Sequence, residues 1–237
     1  MIIGIDVGFS TKRATSGVAR LGPDGALRLG HTTSHWHARR QIAGTERADI
    51  AAIDAPYTTA GAGEVRSCER AFTRGAFQRR CKPGLSHVPG TGRQLRAAGW
   101  ASAQQLEAIA PEKTLAAEFP RIGVCNVVEA FPNAYLGVCL PGAVYADMTR
   151  LGRGQKFDWL YESWVERSMF GPVIEEIGLR QLDVVGNECA INRHHDQRAA
   201  LVCLLTAAGV LVGRYSAVGD SAGVKRETLP GLEVWID

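Results

Sequence analysis

Three stretches of this chain are apolar almost without interruption and each closes on an acid: IIGID at residues 2–6, IAAID at 50–54, and NVVE at 126–129 within Gly123–Ala130. Runs this short, bounded by Gly or Pro, suit strands buried on both faces of a sheet. An ionised carboxylate in such a setting is costly unless it is paired, capped or bound to a metal. If the three strands are parallel neighbours, Asp6, Asp54 and Glu129 meet at the carboxyl edge of the sheet, where α/β proteins bind ligands. Adjacent strands lie about 4.8 Å apart. Carboxylates at that spacing converge on one Mg²⁺, or on two ions about 3.5–4 Å apart.

The remaining elements fit around those strands. Gly17–Leu21 and Ala26–Thr33 flank the turn Gly22-Pro23-Asp24-Gly25, which predicts a hairpin. A helix is expected around His37–Ala43. The stretch from 56 to 122 is too long for a bare connection and is read as a mostly helical insertion. Over 156–168, Phe157, Leu160, Tyr161 and Trp164 recur at helical spacing, with Asp158, Glu162 and Glu166 on the other side. A last long helix spans about 195–211, and short strands are expected at Tyr215–Val218 and Leu232–Ile236. The order predicts an α/β fold: a mixed five-stranded sheet flanked by helices, with the insertion between the fourth and fifth strands.

With 237 residues, 46% hydrophobic and 22% charged, the chain has material for one ample core, read as a single domain over 1–237. Disordered and fibrous classes are excluded. The longest apolar run, Ala199–Val212, is broken by Thr206 and falls short of the roughly 18 residues that span a bilayer. The opening MIIGIDVG carries no basic region ahead of its apolar stretch, so a cytoplasmic protein with no membrane partner is expected. The six cysteines contain no CxxC and are read as core residues. His35-Trp36-His37 has no evident third ligand nearby and is read as surface.

Charge is unevenly spread. Residues 61–100 hold eight lysines and arginines against Glu64 and Glu69, a local net of +6, which leaves −3 for the rest of the chain. Within that stretch Val65, Cys68, Phe72 and Ala76 share one side of a helical wheel, and Arg66, Arg70 and Arg74 the other. Such an arginine stripe, about 12 Å long over two turns, can track a phosphate backbone. A fourth acid, Asp196, opens the last helix beside His194 and His195.

Taken in order, IGIDVG, AIDAP, RSCERAFTRG, VVEAFPNAYLG, KFDWLY and HDQRAALVCLLTA resemble the family known as domain of unknown function 429, predicted nucleases of the RNase H-like superfamily. The likeness runs from residue 2 to about residue 219. It implies an RNase H-like sheet carrying Asp6, Asp54 and Glu129, with Asp196 entering from the closing helix. It also implies Mg²⁺ or Mn²⁺ held by those four carboxylates, and nucleic acid, DNA or RNA, as substrate. On this resemblance Asp6 bridges two ions and Asp54 and Glu129 each complete one site. Asp196 stands on the nucleophile side, His195 shuttles a proton, and Arg66, Arg70 and Arg74 grip phosphates. Two other classes compete. A non-catalytic nucleic-acid-binding or scaffold protein would keep the fold without cleavage. The loop from Asp6 to Lys12 also resembles the first phosphate loop of the sugar-kinase and actin ATPase group, but no second Asp-x-Gly loop follows.

Overall fold

In a computed structural model, the described residues are 1–56, 65–72, 86–110, 126–141, 144, 151, 153–218 and 222–225. Strand β1 (Ile2–Asp6) pairs antiparallel with β2 (Ser16–Leu21), which pairs with β3 (Leu27–Thr32). On its other side β1 runs parallel to β4 (Ile50–Asp54), and β4 runs parallel to β5 (Val127–Glu129). These are the five expected strands in an open mixed sheet. Two short strands, β6 (Tyr215–Val218) and β7 (Ala222–Lys225), extend it to the order β3-β2-β1-β4-β5-β7-β6. The expected strand at Leu232–Ile236 lies outside the described residues.

The hairpin closes as its turn chemistry requires. Gly25 sits at φ +78°, a conformation glycine adopts without strain, and the Ala26 amide donates to Asp24 Oδ1 at 3.1 Å. The insertion between β4 and β5 contains α2 (Ser67–Phe72) and α3 (Thr91–Glu107), following α1 (Trp36–Ala43). After β5 come α4 (Pro132–Cys139), α5 (Arg153–Glu166), α6 (Phe170–Ile177), α7 (Asp183–Ile191) and α8 (His195–Leu211).

The sheet separates two cores, and strand alternation assigns each residue to one of them. Ile2, Ala19, Leu21, Ile50, Ala52 and Val128 face α8 and the helices behind it; Ile3, Ile5, Val18, Ala51, Ile53 and Val127 face α1 and α3. Helix α8 is buried from Arg198 to Val210, which explains why its sequence is apolar on every side. Its contact with the sheet is close because glycines lie beneath it. A Cβ on Gly4 would stand 2.2 Å from the Ala200 carbonyl oxygen, and one on Gly17 would stand 1.8 Å from that of Asp196. Helix α5 buries Phe157, Leu160, Tyr161 and Trp164 as expected, and the two polar ring groups find acceptors: Trp164 Nε1 donates to Leu136 O at 2.8 Å and the Tyr161 hydroxyl to Cys189 O at 3.0 Å. No helix among the described residues is long and apolar enough to cross a membrane.

Candidate functional site

Register brings two of the acids side by side. Asp6 pairs with Asp54 across the parallel β1–β4 ladder, and both belong to the face covered by α8. On the other side of β1, Asp6 pairs with Gly17, and Gly17 with His31. One line across four strands therefore reads Asp54, Asp6, Gly17, His31. The missing side chain at Gly17 admits the first turn of α8, which sets Asp196 over this line, between Asp6 and His31. Asp196 Oδ2 lies 2.8 Å from His31 Nε2.

Electrostatics make the acidic end of the line unstable in its charged form. Burial raises the Asp6 carboxyl well above its ordinary value; the charges of Asp54 and Asp196 push it further, and Arg39 opposes them. Asp54 is pushed up to about 7, first by burial and then by Glu129. Among the described residues, neither carboxylate accepts a side-chain hydrogen bond or makes an ion pair. This is the donor set that a divalent cation would relieve: adjacent, oxygen-only and short of positive charge.

Glu129 departs from the sequence expectation. It pairs with Ile53, one position before Asp54, so alternation turns it to the opposite face of the sheet. There it meets Arg66, whose Nη1 and Nη2 donate to its two oxygens at 2.5 and 2.8 Å. A buried bidentate pair of this kind leaves Glu129 already neutralised. The same contact corrects the reading of Arg66. It precedes α2, is 5% exposed, and is bound to Glu129 and Glu69 rather than displayed on an arginine stripe. Arg96 is likewise buried against Glu69, which also accepts from Ser86. Part of the excess of positive charge in the insertion is thus taken up by Glu129, which lies outside it. Arg70 is exposed on α2, while Arg74 lies outside the described residues.

His195 is also corrected. It leaves the acidic line and joins α5, with Nδ1 at 2.9 Å from Asp158 Oδ2 and its ring edge-on to Phe157 at 5.1 Å. The imidazoles near the acids are instead those of His31 and His194, whose ring centroids are 4.1 Å apart. Successive residues on a helix diverge by about 100°, so His195 follows Asp158 while its neighbour Asp196 faces the sheet.

Arg39 is the functional residue that sequence reasoning missed. It is 1% exposed and donates to four neutral acceptors: Ser16 Oγ at 3.1 Å, Ser102 Oγ at 2.7 Å, Gln105 Oε1 at 2.9 Å and Gly8 O at 3.2 Å. Burial lowers its pKa to about 10, and the charge of Asp6 opposes that fall. Its position on one helical stripe with Trp36 and Ala43 was the available signal. Beside Asp54 opens a cleft lined by Arg66, Cys68, Glu69, Phe72, Glu129 and Phe131 among others; Asp6 does not line it. No family model, curated protein or solved structure matches this chain.

Proposed function

We propose that the chain is a divalent-metal-dependent nuclease of RNase H-like topology, which hydrolyses a phosphodiester at the carboxyl ends of β1 and β4. The observation that carries this reading is the in-register pair of carboxyls Asp6 and Asp54, with no cationic side chain bound to either among the described residues. Their oxygens suit Mg²⁺ or Mn²⁺, hard cations that prefer carboxylates. A bound ion supplies a Lewis acid for the phosphoryl oxygens and lowers the pKa of its water. Asp6 and Asp54 hold the cation, and Asp196 adds negative charge beside Asp6. Arg39, fixed by its four acceptors, restrains the repulsion on Asp6 without occupying its oxygens. Arg66 and Glu129 form one wall of the adjoining cleft. Arg70 presents a cation at the surface, where phosphates of a nucleic-acid strand can reach it.

A second reading is a nucleic-acid-binding protein on the same fold that does not cleave. It is favoured by the Arg66–Glu129 pair, which withdraws one of the acids expected to act. Incubating the full chain with labelled single-stranded, duplex and branched DNA and RNA in Mn²⁺ separates the two. Cleavage by the wild type that is abolished in a folded Asp6→Asn variant is expected. Binding without cleavage carries the second reading, and cleavage that survives Asp6→Asn overturns the assigned site.

A further inference from the structure

We infer that His31, His194 and Asp196 form a binding site for a first-row transition ion of the zinc class, chemically separate from the oxygen-only pair of Asp6 and Asp54. Each of the three residues offers one ligand atom, and these atoms lie within 4.8 Å of one another. The site draws on two parts of the fold. His31 stands on β3, the outer strand of the sheet, and His194 and Asp196 stand on the turn and first residues of α8.

The ligands are held by the backbone rather than by chance side-chain placement. The His194 amide donates to Asn192 Oδ1 at 2.9 Å, and its carbonyl accepts from the Arg198 amide at 2.9 Å, which pins the turn before the helix. Gly17 fixes the approach of Asp196 from below. One polar atom is left unsatisfied: His31 Nε2 is buried and lacks a properly aligned hydrogen bond, although Asp196 Oδ2 is 2.8 Å away. A nitrogen and a carboxylate oxygen in contact but misaligned for a proton, with a second imidazole packed beside them, match what a shared cation needs.

Ligand type sets the ion. Two imidazoles and one carboxylate favour Zn²⁺, Co²⁺ and their neighbours over Mg²⁺, which prefers oxygen and keeps its waters. Three protein ligands leave a coordination position for water or a substrate oxygen. A bound ion also staples the edge strand β3 to the start of α8. None of this requires the chain to cleave nucleic acid.

The test uses the full chain, stripped with chelator and titrated with Co²⁺ alone, followed by Zn²⁺ competition. One equivalent of Co²⁺ is expected to give visible ligand-field bands that Zn²⁺ abolishes and excess Mg²⁺ does not. His31→Gln and His194→Gln are each expected to weaken binding at least ~10-fold, since even loss of an outer partner has that effect. Both side chains are partly or fully accessible, so the metal-free variants should melt as the wild type does. Asp6→Asn should keep the bands. Zn²⁺ should raise the melting temperature of the wild type and not that of His31→Gln. Absence of the bands, their survival in both histidine variants, or their loss in Asp6→Asn overturns the inference.

Discussion

Replacing Asp54 by asparagine is expected to stabilise the metal-free protein, and to do so more strongly as the pH rises. The Asp54 carboxyl stands at about 7 in the folded chain against an ordinary 3.8. Between those values the folded state binds more protons than the unfolded one, so stability falls as pH rises through this window and the penalty is complete above it. At 1.36 kcal/mol per pH unit, full ionisation costs the fold roughly 4 kcal/mol. Asp54 keeps partial exposure and shares its repulsion with Glu129, so a working figure is about 2 kcal/mol. The amide removes that charge at nearly constant volume and breaks no hydrogen bond, because the carboxylate makes none among the described residues. For a chain of this size the gain corresponds to a melting temperature higher by about 4–8 °C at pH 8. At pH 5 less than about half of the gain should remain, since the folded wild-type carboxyl is then largely protonated. Thermal unfolding in chelator at the two pH values measures both numbers. Adding Mg²⁺, which the imidazole site disfavours, should stabilise the wild type and leave Asp54→Asn where it was. A variant that melts at or below the wild type at pH 8, or a gap that stays constant down to pH 5, refutes an uncompensated charge at Asp54.

Arg66→Ala should cost about 3–5 kcal/mol in denaturant titration, because it removes the bidentate partner of the buried Glu129 carboxylate; Glu129→Gln added to it should recover part of that stability. Gly17→Ala forces a methyl into the Asp196 carbonyl, so it should cost about 1–3 kcal/mol and weaken Co²⁺ binding at the histidines. Arg70→Ala should weaken nucleic-acid binding and flatten its salt dependence by about 0.9 in log–log slope for each phosphate that the arginine neutralises, read from affinities at several salt concentrations.

Much of the fold was legible because local and global requirements agree. Ile2–Asp6 and Ile50–Asp54 suit buried strands, the Gly22–Gly25 turn suits a hairpin, and a helix apolar all round from Ala199 suits the interior; the structure has each of them. The adjacency of Asp6 and Asp54 follows once the two strands are parallel and in register. Glu129 shows where this reasoning stops. Its strand looks like the others, yet a register offset of one residue sends its side chain to the other face, and no local pattern encodes pairing register. Arg66 and Arg39 were hidden for a related reason. A cation in a sequence reads as surface until a buried carboxylate, or a ring of neutral acceptors, is known to meet it.

What the sequence determined by itself is the first five strands, their order of appearance and the acids that close three of them, since period, turn chemistry and hydrophobicity act over a few neighbouring residues; β7 (Ala222–Lys225) was not expected. Tertiary structure alone decided which charges face one another. The Gly17 gap that admits α8, the face taken by Glu129 and the meeting of His31 with Asp196 depend on elements far apart in the chain. Those distances are set by packing and register, and packing is a property of the whole molecule.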